Sequence, residues 1–250
     1  MSKPVAVVTG GATGIGAAVV ELLAPSCTVA VLDVNEATGA AVADAAGGRF
    51  FRCDVSDFES VQSAADQVSS ELGAPTFVHL NAGVMTVPPD SPYLAIEDVS
   101  VAQYQRIVGI NLGGVFHGLK AFLPQVRPKG GAITVTASIA GLSALPIDPL
   151  YATTKYAVIG LTRGVAAANA DGAVRINAVC PGVVATDIVP EAMRNGEIPA
   201  MPPTELAAEV VNLLEQGPNG EIRVKLPGVP GFATEPPDLQ AAAAAAASSV

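Results

Sequence analysis

The sequence predicts an α/β fold, a doubly wound, seven-stranded parallel sheet with helices on both faces. Three observations predict it. Seven short apolar runs alternate with six helical stretches. A glycine-rich turn joins the first strand to the first helix. Half of the 250 residues are hydrophobic and 14% are charged, so a large buried core is expected.

The first strand, 4–9, contains Val5-Ala6-Val7-Val8, a β-branched run suited to burial on both faces. It runs into Thr9-Gly10-Gly11-Ala12-Thr13-Gly14-Ile15-Gly16, and a helical pattern over 15–24 follows. Strand, glycine turn and helix in that order form a pyrophosphate cradle: glycines allow close backbone approach, and the helix N-terminus supplies free N–H groups. Gly10, Thr13, Gly14, Ile15 and Gly16 are therefore candidate cofactor-binding residues. The second strand, 28–33, is Val29-Ala30-Val31-Leu32 ending in Asp33. Helix 36–46, strand 49–53, helix 57–72 and strand 76–80 continue the alternation, and Pro88, Pro89 and Pro92 then interrupt it. Helix 100–126 carries Gly109, Gly113, Gly114 and Gly118, which predict a bend. Strand 131–137, helix 151–169, strand 174–179, helix 203–215 and strand 221–226 complete the pattern. No linker divides it, so residues 1–240 are expected to form one domain. The tail, 241–250, is seven alanines, two serines and Val250, too short and unpatterned to hold a firm helix.

Ser138, Tyr151 and Lys155 carry the chemical signal. Tyr151 and Lys155 stand at i and i+4, one turn apart on a helix face. An ammonium beside a phenol favours the phenolate, which predicts a Tyr151 pKa below the usual value of about 10. Such a phenol exchanges protons with an alcohol or carbonyl. Ser138 ends a buried strand, where a hydroxyl points into the crevice in which open α/β sheets bind ligands.

Net charge is −10, from 13 basic and 23 acidic residues, with no basic run. Nucleic acid and anionic membrane surfaces are excluded as partners on that ground. Cys27, Cys53 and Cys180 are far apart and odd in number, which suits a reducing cytoplasm rather than a disulfide framework. Cys180 is expected to be a small packed residue. His79 and His117 lack partners at metal spacing, so no metal site is predicted, and His79 is expected in the core. No apolar stretch free of Gly, Pro or charge is long enough to span a bilayer, and Met1-Ser2-Lys3-Pro4 leads straight into the first strand without a signal peptide.

Together these residues resemble the short-chain dehydrogenase/reductase family over about residues 4–226. Thr9 to Gly16 matches the family's Thr-Gly-x-x-x-Gly-x-Gly, and the resemblance implies its Rossmann fold. It implies that Asp54, with Val55 beside it, meets the adenine amine. It places Asn81-Ala82-Gly83 after strand four and identifies Asn111, Ser138, Tyr151 and Lys155 as the catalytic set. Tyr151 and Lys155 also contact the cofactor in this pattern. Asn111 holds a water that connects Lys155 to solvent. Pro181, Gly182, Val184 and Thr186 resemble the loop that holds the nicotinamide amide. Asp33 then selects the cofactor: an acid at the end of strand two accepts from ribose hydroxyls and repels a 2′-phosphate. Its neighbours Thr13, Val34, Asn35 and Glu36 include no base, so NAD is predicted over NADP.

The expected activity is NAD-dependent interconversion of a secondary alcohol and a ketone. Residues 139–147, Met85 to Val87 and 183–203 should wall the site; they are mostly apolar and favour a lipophilic or aromatic substrate. Arg194 reads as solvated surface, and the proline-rich 183–203 loop as a lid. A non-catalytic NAD-binding regulator or scaffold, a 3-oxoacyl-type reductase and an enzyme acting on a carbon–carbon bond stand as alternatives. Helices 100–126 and 151–169 are apolar on most faces, which predicts a homo-oligomer, a tetramer or dimer. The Lys225-Leu226-Pro227-Gly228 ending departs from the family's usual Val-Asp-Gly-Gly segment and from the tetramer contact it makes.

Overall fold

Parallel strands whose residues are apolar on both faces must be covered on both faces, and this sheet is. The computed structural model describes residues 3–189, 199–238, 243 and 247. The strands are β1 (Val5–Thr9), β2 (Thr28–Asp33), β3 (Arg49–Arg52), β4 (Phe77–Leu80), β5 (Ala132–Thr136), β6 (Arg175–Pro181), β7 (Ile222–Lys225) and β8 (Phe232–Ala233). The helices are α1 (Gly14–Leu23), α2 (Glu36–Ala45), α3 (Phe58–Glu71), α4 (Val101–Val108), α5 (Gly114–Val126), α6 (Pro149–Ala168) and α7 (Pro203–Gln216). The sheet order is β3-β2-β1-β4-β5-β6-β7-β8. The chain reverses direction across the sheet between β1 and β4, which opens a crevice at their carboxyl ends.

Alternation along β1 divides the core. Val5 and Val7 face one side with Val115, Leu119 and Phe122 of α5 and Val158 and Ile159 of α6. Ala6 and Val8 face the other with Val19, Val20 and Leu23 of α1 and Leu206, Val210 and Leu213 of α7. Phe122 is fully buried, and truncation to alanine there costs about 3–5 kcal/mol. Helix starts are fixed by side chains: Asp57 accepts from Glu59 N, Ser100 and Gln103 form a capping box, and Asp148 accepts from Tyr151 N.

The structure departs from the sequence expectation in two places. The seven predicted parallel strands are present, and an eighth, β8, pairs antiparallel with β7 through Arg223↔Ala233 and Val224↔Phe232. Two residues in a Pro/Gly-rich stretch carry no period. The bend expected in helix 100–126 is a π-helical segment, Gly109–Gly113, between α4 and α5. The run Val101–Lys129 is long and apolar enough to cross a membrane by length and composition, though it is interrupted by Arg106, Gly109, Lys120 and Pro124 and so is not a stretch free of Gly, Pro or charge. Here its apolar face joins the core through Val115, Leu119, Phe122 and Val126. Residues 190–198 of the predicted lid, with Arg194, lie outside the described residues, as does most of the 241–250 tail.

Candidate active site

The glycine turn leaves β1 with Gly10 at φ +62° and Gly14 at φ +53°, backbone states that disfavour other residues. A Cβ on Gly16 would come within 2.0 Å of Gly10 O, so only glycine lets α1 start there. The N-cap of α1, Thr13, makes no side-chain capping hydrogen bond, and the first N–H groups are left for an anion. Thr9 Oγ1 accepts from Asn81 N and Ala82 N and ties the end of β1 to the end of β4.

A crevice of about 350 Å³ opens over these ends. It is lined by Gly10, Thr13, Gly14, Ile15, Asp33, Asp54, Val55, Asn81, Ala82, Gly83, Ser138, Tyr151, Lys155, Pro181, Gly182, Val184 and Thr186, all predicted from sequence. Two predicted residues stand behind it. Gly16 packs on Gly10. Asn111 is buried in the π-helical segment, where Oδ1 accepts from Val84 N and Nδ2 donates to Val84 O and Thr154 Oγ1. The wider π turn inserts one extra residue per turn, and this segment carries Asn111 against the 84 loop.

At one end of the crevice Asp33 is held rigidly: Oδ2 accepts from Ala12 N at 3.0 Å and Oδ1 from Asn35 N at 3.0 Å. Arg52 is in register with Asp33 across β2 and β3, a basic neighbour the sequence reading missed. It is mostly exposed and pairs with Glu36 at 3.1 Å. Asp54 Oδ1 accepts from Ser56 N and Oγ, and these bonds hold its carboxyl below the usual range. These donors and acceptors, with the open helix start, fit a nicotinamide dinucleotide.

At the other end Ser138 Oγ accepts from Ala140 N at 3.1 Å, and Ser138 lines the crevice with Tyr151. Lys155 is 3% exposed; Nζ donates to Thr136 O at 2.9 Å and lies 5.4 Å from the Tyr151 ring centroid. Burial pushes Lys155 down to about 8 and Tyr151 up to about 12, the latter opposed by the Ser138 hydroxyl and reinforced by Asp148. This corrects the expectation of a lowered phenol pKa. Lys155 is buried and Tyr151 half-buried, and the ammonium faces the ring and a carbonyl, so desolvation wins.

The expected substrate wall is corrected in part. Residues 139–147 and 85–87 do not line the crevice; Val84 and Ile110 do, together with Val184, Ile188 and Val189 of the expected 183–203 segment. The turn Ile139–Gly141 folds into the core, with Gly141 against Lys155 O. Thr86 instead ties down Asp148, its N at 3.0 Å and Oγ1 at 2.6 Å from the carboxylate. Cys180 is buried, as expected, and so is His79.

The family model for short chain dehydrogenases matches residues 4–196. The chain belongs to the short-chain dehydrogenase family. It is 36% identical over 200 residues to 2,5-dichloro-2,5-cyclohexadiene-1,4-diol dehydrogenase of Sphingobium indicum, covering 78% of each chain. It is 36% identical over 191 residues to D-threitol dehydrogenase of Mycolicibacterium smegmatis, covering 74% of this chain and 71% of that one. It is 34% identical over 194 residues to 3-alpha-(or 20-beta)-hydroxysteroid dehydrogenase of Mycobacterium tuberculosis, covering 75% and 72%. The crystal structure of levodione reductase superposes with a TM-score of 0.79 at 28% identity, over 91% of this chain and 96% of that one. As a short-chain dehydrogenase, the protein is an oxidoreductase of alcohol and carbonyl groups that uses a nicotinamide cofactor.

Proposed function

We propose that this short-chain dehydrogenase interconverts a secondary alcohol and a ketone with NAD, on a lipophilic or aromatic small molecule. One observation carries the proposal: Ser138, Tyr151 and Lys155 line the same crevice as Asp33, with Asp33 at the end of β2 and Ser138 beyond the end of β5, three strands across the sheet. The bound nicotinamide supplies the hydride acceptor or donor. Ser138 and Tyr151 hold the substrate oxygen between two hydroxyls, and Tyr151 moves its proton. As a phenol held protonated by burial, Tyr151 is ready to donate to a ketone; in the oxidising direction it first gives up that proton by way of Lys155 to solvent, and as phenolate then takes the alcohol proton. Lys155 binds the ribose and offers positive charge under the ring. Asn111 holds the 84 loop against α6 and supports the proton path from Lys155.

Asp33 supports NAD, because its carboxylate is fixed by two backbone N–H groups and Arg52 beside it is neutralised by Glu36. Val84, Ile110, Ile188 and Val189 support an apolar substrate, as do the ring-diol and steroid relatives. Self-association through α4, α5 and α6 is supported by exposed Val101, Tyr104, Phe116 and Tyr156. The test is NADH formation from a panel of steroid, aryl, aliphatic and polyol alcohols. Tyr151→Phe is expected to lower turnover by about 10²–10⁴-fold while retaining NADH binding. Turnover unaffected by the substitution would sink the proposed role of Tyr151.

A further inference from the structure

We propose that His79 is a positioning residue for the dinucleotide cradle, acting through a directed chain of hydrogen bonds that ends on Gly10. The inference rests on the crevice binding a nicotinamide dinucleotide. His79 lies in β4, fully buried. Its Nδ1 is 2.9 Å from Thr134 Oγ1 and its Nε2 is 3.2 Å from Thr136 Oγ1, both on β5.

The next links fix every direction in the chain. Asn81 Nδ2 donates to Gly10 O at 3.2 Å, which turns Asn81 Oδ1 toward Thr136. Thr136 Oγ1 donates to that oxygen at 3.0 Å. A threonine hydroxyl has one proton, so Thr136 must accept from His79 Nε2–H. Nδ1 then carries the lone pair, and Thr134 donates to it. The network thus assigns His79 the neutral Nε2–H tautomer. Burial pushes its pKa down to about 3, so the ring stays neutral at working pH and the chain keeps one polarity.

The chain ends where the cofactor cradle is tightest. The Asn81 amide sits between Gly10 and Gly16; a Cβ on Gly16 would lie 2.9 Å from Asn81 Nδ2. It therefore sets the Gly10 carbonyl, at a residue with φ +62°. Thr136 has a second attachment, since its carbonyl accepts from Lys155 Nζ. One strand residue thus holds the glycine turn by its hydroxyl and the site lysine by its carbonyl, and His79 orients that hydroxyl. A buried polar network in mid-sheet carries a desolvation cost that an apolar set of the same shape avoids. This one is satisfied in a single direction, toward the crevice.

The test measures NADH affinity of the full chain by fluorescence titration for the unsubstituted protein, Thr136→Val, Thr136→Ser and His79→Val. Thr136→Val frees the Asn81 amide and is expected to weaken NADH binding about three- to tenfold. Thr136→Ser keeps the hydroxyl and is expected to recover most of the affinity; His79→Val should weaken binding by a smaller factor. The ¹⁵N spectrum of the ligand-free protein is expected to show one of its two histidines as the Nε2–H tautomer, lost in His79→Val. If His79→Val does not fold, the Thr136 pair and a His117→Gln spectrum decide. Unchanged affinity in Thr136→Val, or an Nδ1–H ring at His79, overturns the inference. If the unsubstituted protein binds no NADH, the proposed function falls and the inference with it.

Discussion

Lys155→Met is expected to make the ligand-free protein more stable while destroying its activity. Lys155 is 3% exposed, and its pKa falls from 10.5 to about 8 because burial disfavours the charged form. At neutral pH the fold therefore carries a cost of about 3 kcal/mol for keeping this ammonium out of water. Methionine fills the same channel without the charge. It also leaves Thr136 O without the Nζ donor, a loss of about 1–2 kcal/mol. The net gain is about 1–2 kcal/mol, which raises Tm by about 2–8 °C for a chain of this size. The pH dependence identifies the cause. Between about 8 and 10.5 the unfolded chain binds a proton at Lys155 that the folded one has released, so stability of the unsubstituted protein rises with pH across that window. Lys155→Met lacks this rise, and its advantage disappears above 10.5. Urea denaturation of both proteins at neutral and alkaline pH measures the difference. A Lys155→Met protein no more stable at neutral pH, or an advantage that persists at alkaline pH, would refute the reasoning.

Asp33→Ala removes the carboxylate fixed by Ala12 N and Asn35 N and is expected to weaken NAD binding about tenfold or more. It should also narrow the preference over NADP; steady-state kinetics with both cofactors checks this, and an unchanged ratio counts against Asp33 as the selector. Phe116→Glu with Tyr104→Glu charges the exposed apolar face of α4 and α5 and is expected to abolish the proposed self-association, read by sedimentation velocity. A monomeric unsubstituted protein at micromolar concentration would contradict the proposed interface.

The sequence made the strand and helix cores legible because buried β-branched runs and the 3.6-residue period leave direct marks. β1 and β2 fall within one residue of the expected bounds. The crevice was legible for the same reason: a parallel sheet delivers Asp33, Asn81 and Ser138 to one edge whatever the detail of packing. What escaped was set by three-dimensional environment. The i, i+4 spacing of Tyr151 and Lys155 gave proximity but not burial, and burial sets the direction of both pKa shifts. Arg52 was hidden because its relation to Asp33 is a register between strands, not a spacing along the chain. The His79 chain was hidden likewise. His79, Thr134 and Thr136 read as ordinary interruptions in apolar runs until β4 and β5 are laid side by side. Residues 139–142 looked like substrate wall by position, but a 3₁₀ turn takes them into the core.

The two borders of the sheet bear on how the protein behaves when concentrated. Any free strand edge is a template on which another chain can lengthen the sheet. At one border β3 is bracketed by Arg49 and Arg52, each committed to an acidic partner, Glu71 at 2.7 Å and Glu36 at 3.1 Å. An incoming strand would have to lie along those charges. At the other border β8 is two exposed residues, Phe232 and Ala233, with Pro236 and Pro237 close behind in the chain. That is too short a ladder to seed growth, and proline cannot extend it. A sheet this apolar in its interior is thus closed to lateral polymerisation at both margins, which leaves the helix faces as the surfaces for the proposed self-association.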